Sequence, residues 1–200
     1  MELSLGTTFK HYGNNWYHFF VLSRSGLYNK VEKYTGNDRH NPKTIDYRSG
    51  ESENKFRFEH HRYAANGFKL QVGAGIEYAH YDNTTALRLF AAGEAIDQYY
   101  SRALNMWKWA VFGQVSRSFF SERLALSLGL RADGCNYTGK TAALYRQISP
   151  RFSFSYAFDE RWSLNGNIGR YYQLPAYTTL GFADAGGVLV NKRNKTGYIG

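Results

Sequence analysis

The sequence predicts an all-β protein, built as an antiparallel up-and-down transmembrane β-barrel. Three observations carry this prediction: apolar residues recur at every second position, a seven-residue turn phrase occurs twice, and 18% aromatic residues are combined with 20 glycines and only 3 prolines. A period of two fits a β-strand and does not fit a helix. Tyr, the commonest aromatic with 17 residues, is favoured both in strands and at membrane interfaces.

The alternation is clearest just after residue 123. Every second position is apolar there: Leu124, Leu126, Leu128 and Leu130. The positions between them carry Ala125, Ser127, Gly129 and Arg131. Small and polar residues suit a hydrated, closely packed interior, so the apolar face is predicted to contact lipid. The alternative is that aromatic residues simply favour strands.

The repeated phrase marks short turns between pairs of strands. Its copies run from Phe120 to Leu126 and from Phe158 to Leu164, and further tight turns are predicted near residues 13–15 and 65–67. Successive turns are spaced widely enough for two strands and one longer loop. This spacing predicts a barrel with short turns at one edge and long loops at the other.

Strand and loop positions follow from the same pattern. Strands are predicted over residues 2–12, 16–29, 55–64, 68–81, 84–91, 104–119, 123–137, 147–157 and 161–174, with another beginning near 188. Loops outside the cell are predicted over residues 32–54, 92–102, 136–146 and 175–187.

The length of one predicted strand agrees with a membrane span. Nine residue steps separate Trp162 from Tyr171, which at ~3.3 Å each and a tilt of ~40° gives a height of roughly 23 Å, close to the ~25 Å apolar band of such barrels. Lipid-facing or girdle positions are therefore predicted at Trp107, Trp109, Leu124, Leu126, Leu128, Leu130, Phe158, Trp162, Leu164, Tyr171 and Tyr172.

Composition argues against several other classes of protein. No run approaches the ~18 apolar residues of a spanning helix, and the mean hydropathy of −0.53 suits alternating strands. The net charge of +9 is compatible with nucleic acid, an anionic ligand or acidic lipid headgroups as partner. The basic residues are scattered without a nucleic-acid-binding motif, so no nucleic acid partner is predicted. The single cysteine, Cys135, excludes an intrachain disulfide.

Catalytic, cofactor and metal sites have no support in the sequence. No Gly-x-Ser-x-Gly, Walker-type or dinucleotide fingerprint is present, so neither an enzyme nor a cofactor is predicted. Glu59, His60 and His61 resemble a metal cluster, but adjacent residues of a strand point to opposite faces. No metal site is therefore predicted.

Tyrosines and basic residues of the predicted loops are the candidate ligand contacts. Aromatic and cationic groups together suit a sugar, a ferric chelate or another polar nutrient. The candidates are Tyr47, Arg48, Tyr99, Tyr100, Arg102, Tyr137, Lys140, Tyr145 and Tyr177. The alternative is that these residues are girdle or ordinary loop residues.

Several segments resemble a known family. The stretch Ile148–Tyr156, continued by Glu160–Leu164 and Gly169–Pro175, resembles the barrels of TonB-dependent receptors, most closely the Bacteroidetes-type nutrient receptors. Val111–Val115 and Leu126–Asp133 resemble a recurring hairpin of those barrels. The resemblance is strong over residues 105–200 and rests only on strand pattern before that.

The resemblance implies a 22-stranded barrel in the outer membrane of a Gram-negative bacterium, with a plug inside and transport driven by TonB. Residues 1–200 are expected to form a partial barrel of about 8–10 strands without signal peptide or plug, so TonB would be reached only through a plug outside this chain. The expected partners are outer-membrane lipid and a small-molecule nutrient such as a siderophore or oligosaccharide. The alternatives are a passive porin or a structural or adhesive barrel, followed by an outer-membrane hydrolase.

Overall fold

One antiparallel sheet of eight strands makes up most of the protein in the computed structural model, which describes residues 1–91, 94–182 and 189. The strands pair in sequence order, each with the next. They are β1 (Glu2–Tyr12), β2 (Trp16–Tyr34), β3 (Lys43–Tyr63), β4 (Phe68–Ala91), β5 (Glu94–Phe119), β6 (Leu124–Cys135), β7 (Ile148–Ala157) and β8 (Ser163–Gly169). The antiparallel order of neighbouring strands is that of an up-and-down barrel, and the sheet is not closed within the described residues. Both features confirm the predicted partial barrel.

The two faces of the sheet differ in composition. Cross-strand partners share a face, and neighbours along a strand alternate between faces. Leu128 of β6 pairs with Val115 of β5 and Phe152 of β7, whereas Ser127 pairs with Ser116. We call the face of Leu128 the outer face and the face of Ser127 the inner face. This register gives one apolar and one largely polar face, as the alternation predicts.

A band of apolar residues crosses the outer face. In β4 it comprises Phe68, Leu70, Val72, Ala74, Ile76 and Tyr78, and the polar residues His80 and Asp82 follow. Ten residue steps from Phe68 to Tyr78 correspond to ~33 Å of strand and, at a tilt of ~40°, to a height of ~25 Å. Tyr78 packs against Trp107, its partner in β5, with ring centroids 4.9 Å apart. Aromatic residues thus mark the edge of the membrane-spanning part.

Four strands continue far beyond this band. β4 extends 13 residues past Tyr78, which is ~43 Å of strand, and β5 accompanies it. The prediction of loops over residues 32–54 and 92–102 is wrong for most of their described residues, which lie in β2, β3 and β5. The predicted strands 68–81 and 84–91 are one strand.

These errors have a common physical reason. Beyond the band, water can reach both faces of an antiparallel ribbon, so polar residues such as Asp82 and Asn83 fit a strand there as well as a loop. They pair in register with Ala103 and Arg102 of β5. Polarity identifies the edge of the membrane in this chain, and it does not identify the end of the strand.

Short connections lie at one edge of the sheet, as predicted. They occupy residues 13–15, 64–67, 120–123 and 158–162. The two copies of the repeated phrase nevertheless form different turns. Phe120, Ser121 and Glu122 all have left-handed φ values of 53° to 69°, whereas the Asp159 carboxylate accepts hydrogen bonds from the backbone N–H groups of Arg161 and Trp162.

The opposite edge carries longer connections between β2 and β3 and between β6 and β7, whereas only residues 92–93 separate β4 from β5. Residues 136–147 form a loop, as predicted, with a short helix α1 (Gly139–Ala142) and a 3₁₀ turn (Leu144–Arg146). Residues 175–182 also lie outside any strand and include helix α2 (Tyr177–Leu180). The rest of the predicted loop, 183–187, and the strand beginning near 188 lie outside the described residues, except Leu189.

The segment that follows β8 folds back onto the inner face. We call residues 170–182 the return segment. Its Leu180 is fully buried, and the Tyr137 hydroxyl donates a hydrogen bond to the Leu180 carbonyl oxygen at 2.8 Å. Leu180 packs into a buried cluster with Ala79, Tyr81, Leu104, Met106, Cys135 and Tyr137. This cluster holds the return segment against β4, β5 and β6.

Most of the predicted lipid-facing residues lie on the outer face. Register places Trp107, Trp109, Leu124, Leu126, Leu128, Leu130 and Leu164 there. Phe158 and Trp162 are exposed beside the turn between β7 and β8. Actual contact with lipid stays a prediction for all of these residues.

Tyr171 and Tyr172 lie elsewhere than predicted, because β8 ends at Gly169 and the alternation ends with it. The Tyr171 ring lies under the Arg151 guanidinium and close to Gly169, both inner-face positions. Tyr172 lines a cavity on the same face. Within the part of the chain that the structure describes, no helix is long and apolar enough to span a membrane.

Candidate functional site

Two cavities on the inner face are separated by the return segment. Residues 172–177 of the segment line the lower cavity, which lies at the level of the membrane band and has a volume of about 580 Å³. Thr178, Gly181 and Phe182 line the upper cavity, which lies beyond the band and has a volume of about 640 Å³. The return segment therefore forms the partition between them.

The lower cavity is bordered by a compact network of charges. Lys108 forms ion pairs with both Glu53, at 3.2 Å, and Glu77. Lys55 forms ion pairs with the same two carboxylates, at 2.5 Å and 3.6 Å. Two bases and two acids thus neutralise one another, and this wall offers little net charge to a ligand.

Tyr177 ties the return segment to that network. Its hydroxyl donates a hydrogen bond to Glu53 and accepts one from Lys108 at 2.5 Å. The Lys108 ammonium also lies 5.1 Å from the centre of the Tyr177 ring. Burial, reinforced by the hydrogen bond with Glu53, raises the pKa of Tyr177. The phenol consequently stays protonated and keeps its donor.

The upper cavity has a different chemistry. Its walls carry tyrosines and amides from the inner faces of β3, β4 and β5: Tyr47, Tyr81, Asn83, Gln98 and Tyr100. Arg102 is the charged residue of this lining, and none of the described lining residues is acidic. Burial, followed by the neighbouring Tyr47, raises the pKa of Tyr81. The cavity therefore offers phenols, amides and one cation, with no carboxylate among the described lining residues.

Four of the nine predicted contact residues meet at the upper cavity. Tyr47, Tyr100 and Arg102 line it from the inner face, and Tyr99, which alternation places on the outer face, also borders it. The sequence places these residues in two separate predicted loops. Tyr100 is 40% exposed, so its ring is available from the cavity. Tyr177 lies next to the upper cavity, with its ring stacked 6.4 Å from that of Tyr81.

The other predicted contacts are placed elsewhere. Arg48 lies on the outer face, one residue from Tyr47, since alternation separates neighbours. It forms an ion pair with Asp46 at 3.2 Å. Tyr137 is buried beneath the return segment. Lys140 and Tyr145 are exposed on the loop between β6 and β7.

Sequence reasoning missed several lining residues of the upper cavity. Tyr81, Asn83, Thr85 and Gln98 were not among the candidates, and all four lie in strands. The signal that could identify them is the alternation of inner-face and outer-face residues, which continues beyond Tyr78. The sequence predicts a strand end and a loop in this stretch, so alternation is not applied there.

His60 and His61 lie on opposite faces of the sheet, as expected for adjacent residues of a strand. His61 points to the inner face, where it stacks on Tyr17 at 4.3 Å and forms a hydrogen bond with Glu59 at 2.7 Å. His60 lies on the outer face against His18. Among the described residues, no group of three His, Cys, Asp or Glu side chains is arranged to hold a metal ion.

Comparison with known proteins agrees with this architecture. A family model described as TonB dependent receptor-like, beta-barrel, matches residues 2–198. No curated protein matches the chain significantly. Because the family match covers nearly the whole sequence, the chain belongs to the TonB-dependent receptor β-barrel family of the Gram-negative outer membrane.

Proposed function

We propose that this chain forms part of the wall and mouth of a receptor that captures a small polar nutrient for TonB-coupled uptake, with the upper cavity as the capture site. The family consists of outer-membrane receptors that transport small molecules and interact with TonB. The observation that carries the proposal is the convergence of Tyr47, Tyr100 and Arg102 on one cavity beyond the membrane band.

The chemistry of the upper cavity suggests the class of nutrient. Phenol rings stack on sugar or catechol rings, amides form hydrogen bonds with hydroxyl groups, and an arginine favours anionic oxygens. A ferric siderophore fits this combination, because its metal-binding oxygens carry negative charge. An oligosaccharide with acidic groups fits it as well.

Ligand binding to the purified receptor tests the proposal. The probes are ferric complexes of a catecholate and a hydroxamate siderophore, together with neutral and acidic oligosaccharides. We expect at least one probe to bind, and Arg102→Gln to weaken its binding about tenfold, which corresponds to one lost hydrogen bond to a charged group. Tyr100→Ala should also weaken it, because a stacking surface is removed.

The matched controls are Arg48→Gln and Tyr28→Ala, which change the same residue types on the opposite face. They should bind like the unchanged protein. If no probe binds, or if the controls weaken binding as much as the cavity variants, the upper cavity is not the capture site. A large steady conductance in planar bilayers without an energy source would instead support a passive pore.

A further inference from the structure

Three histidines form a row across the outer face near the short turns. His11 of β1 pairs with His18 of β2, which pairs with His60 of β3. The ring centroids of His11 and His18 are 6.4 Å apart, and those of His18 and His60 are 5.0 Å apart. The neighbouring outer-face positions are apolar except Thr7 and Arg62, and the row lies at the opposite edge of the sheet from the upper cavity.

The row lies close to the short-turn edge of the apolar band. The next row toward the turns contains Trp16 and its cross-strand partner Arg62. The histidines lie two residues further along the strands, which is ~7 Å of strand and ~5 Å of depth at a tilt of ~40°. The row on their other side is apolar, with Phe9, Phe20 and Phe58. His60 pairs with Val72 of the band in β4, so the histidines lie just inside the edge of the band.

No acidic group on this face neutralises the cluster. The outer-face positions of β1, β2 and β3 around the row carry only apolar, Thr, His and Arg side chains over residues 3–11, 16–22 and 56–62. The carboxylate next to His60 in sequence, Glu59, points to the inner face, where it pairs with Arg57 and His61. The Nδ1 atom of His60 is buried and has no hydrogen-bond partner among the residues that the structure describes.

We propose that the histidine row, together with Arg62 and Trp16, binds the phosphate group of an anionic glycerophospholipid. Arg62 supplies a permanent cation and the imidazoles supply N–H donors, the groups that phosphate oxygens accept. The Trp16 ring packs against that of His18, with centroids 4.6 Å apart, and it places an indole at the edge of the band, where Trp is enriched. The phenylalanines of the adjacent row would contact the acyl chains.

A lipid phosphate fits this position better than a free one. The row opens toward the hydrocarbon layer, where an unattached anion has no favourable environment. A phospholipid delivers its phosphate to this depth while its chains remain in the apolar band. A net negative headgroup is favoured over a zwitterionic one, because the cluster contains bases and no acids.

Native mass spectrometry of the intact receptor in detergent tests the site. The protein is titrated with phosphatidylglycerol and, separately, with phosphatidylcholine of the same acyl chains. We expect phosphatidylglycerol to bind about tenfold more tightly, and Arg62→Gln to abolish this preference. The double variant His18→Phe/His60→Phe keeps the ring packing but removes the donors, and should weaken phosphatidylglycerol binding about tenfold.

Lys10→Gln is the matched control. Lys10 precedes His11 but points to the inner face, where it lies over Tyr17 and Phe19, so this variant should bind phosphatidylglycerol normally. Folding of each variant is checked by its heat-dependent mobility on a denaturing gel. Equal binding of the two lipids, equal binding by the histidine variant, or displacement of the lipid by inorganic phosphate at constant ionic strength would overturn the proposal.

Discussion

At the scale of single residues, glycines on this sheet make room for aromatic rings of the neighbouring strand. The sequence shows Gly166 as a gap in an otherwise apolar series, and alternation alone gives no reason for it. In the structure the ring of Phe154, the cross-strand partner of Gly166, covers this gap, and a Cβ atom at Gly166 would overlap the ring. Gly134 stands in the same relation to Trp109.

Replacing Gly166 by alanine tests this packing. The added methyl group must displace the Phe154 ring, and overpacking of this kind costs about 1–3 kcal/mol. We expect a lower free energy of unfolding in a urea titration of the receptor in lipid vesicles. Gly129→Ala is the control, since its new Cβ atom would meet only ordinary contacts at 3.6 Å. Equal stability of the two variants would contradict the account.

The residue scale also shows what alternation can and cannot assign. It separates Leu124 from Ala125 and His60 from His61 correctly, because adjacent strand residues face opposite ways. The same rule separates Tyr47 from Arg48 and Tyr99 from Tyr100, but it applies only to strand residues, and the sequence predicts loops at both places. The convergence of Tyr47 with Tyr100 depends on strand register, which no local pattern contains.

At the scale of elements, the return segment differs most from what the sequence predicts. The sequence predicts one spanning strand over residues 161–174, but β8 ends at Gly169 and the chain turns onto the inner face. Tyr177 and Leu180 hold it there through the Lys108 network and the buried cluster. Their partners come from β3 to β6, so the docking depends on contacts distant in sequence.

Tyr177→Phe tests whether the hydroxyl anchors the return segment. The variant removes the hydrogen bonds with Glu53 and Lys108 but leaves those two residues paired with each other. Because a hydrogen bond to a charged group is worth about 1.5–3 kcal/mol, we expect amide exchange over residues 172–182 to accelerate about tenfold or more. Hydrogen exchange with mass spectrometry measures this change.

Tyr145→Phe serves as the control for that experiment, because Tyr145 is exposed and its hydroxyl contacts only the adjacent Arg146. Its exchange over residues 172–182 should match that of the unchanged protein. Unaltered exchange in Tyr177→Phe would mean that the buried cluster alone holds the segment.

At the scale of the whole molecule, the outer face is divided into two parts. It is apolar over a band about 25 Å high, and beyond Tyr78 and Trp107 the outer face of the same strands becomes largely polar. The fold class and the short turns could be predicted from sequence because both are local. The extension of β2 to β5 beyond the band could not be predicted. Strands in water need no apolar outer face, so the alternation that identifies a membrane strand is not required there.

The central claim is that the outer face of this band contacts lipid while the inner face contacts water. Spin labels introduced one at a time along β5 and β6 of the intact receptor, with Cys135 replaced by serine, test it directly in bilayers. Accessibility to oxygen, which concentrates in lipid, and to a water-soluble nickel complex is measured at each position. We predict high oxygen accessibility at residues 126, 128 and 130, high nickel accessibility at 127 and 129, and high nickel accessibility at outer-face positions 101 and 103 beyond Trp107. Loss of the period of two, or nickel accessibility at residues 126, 128 and 130, would contradict the account.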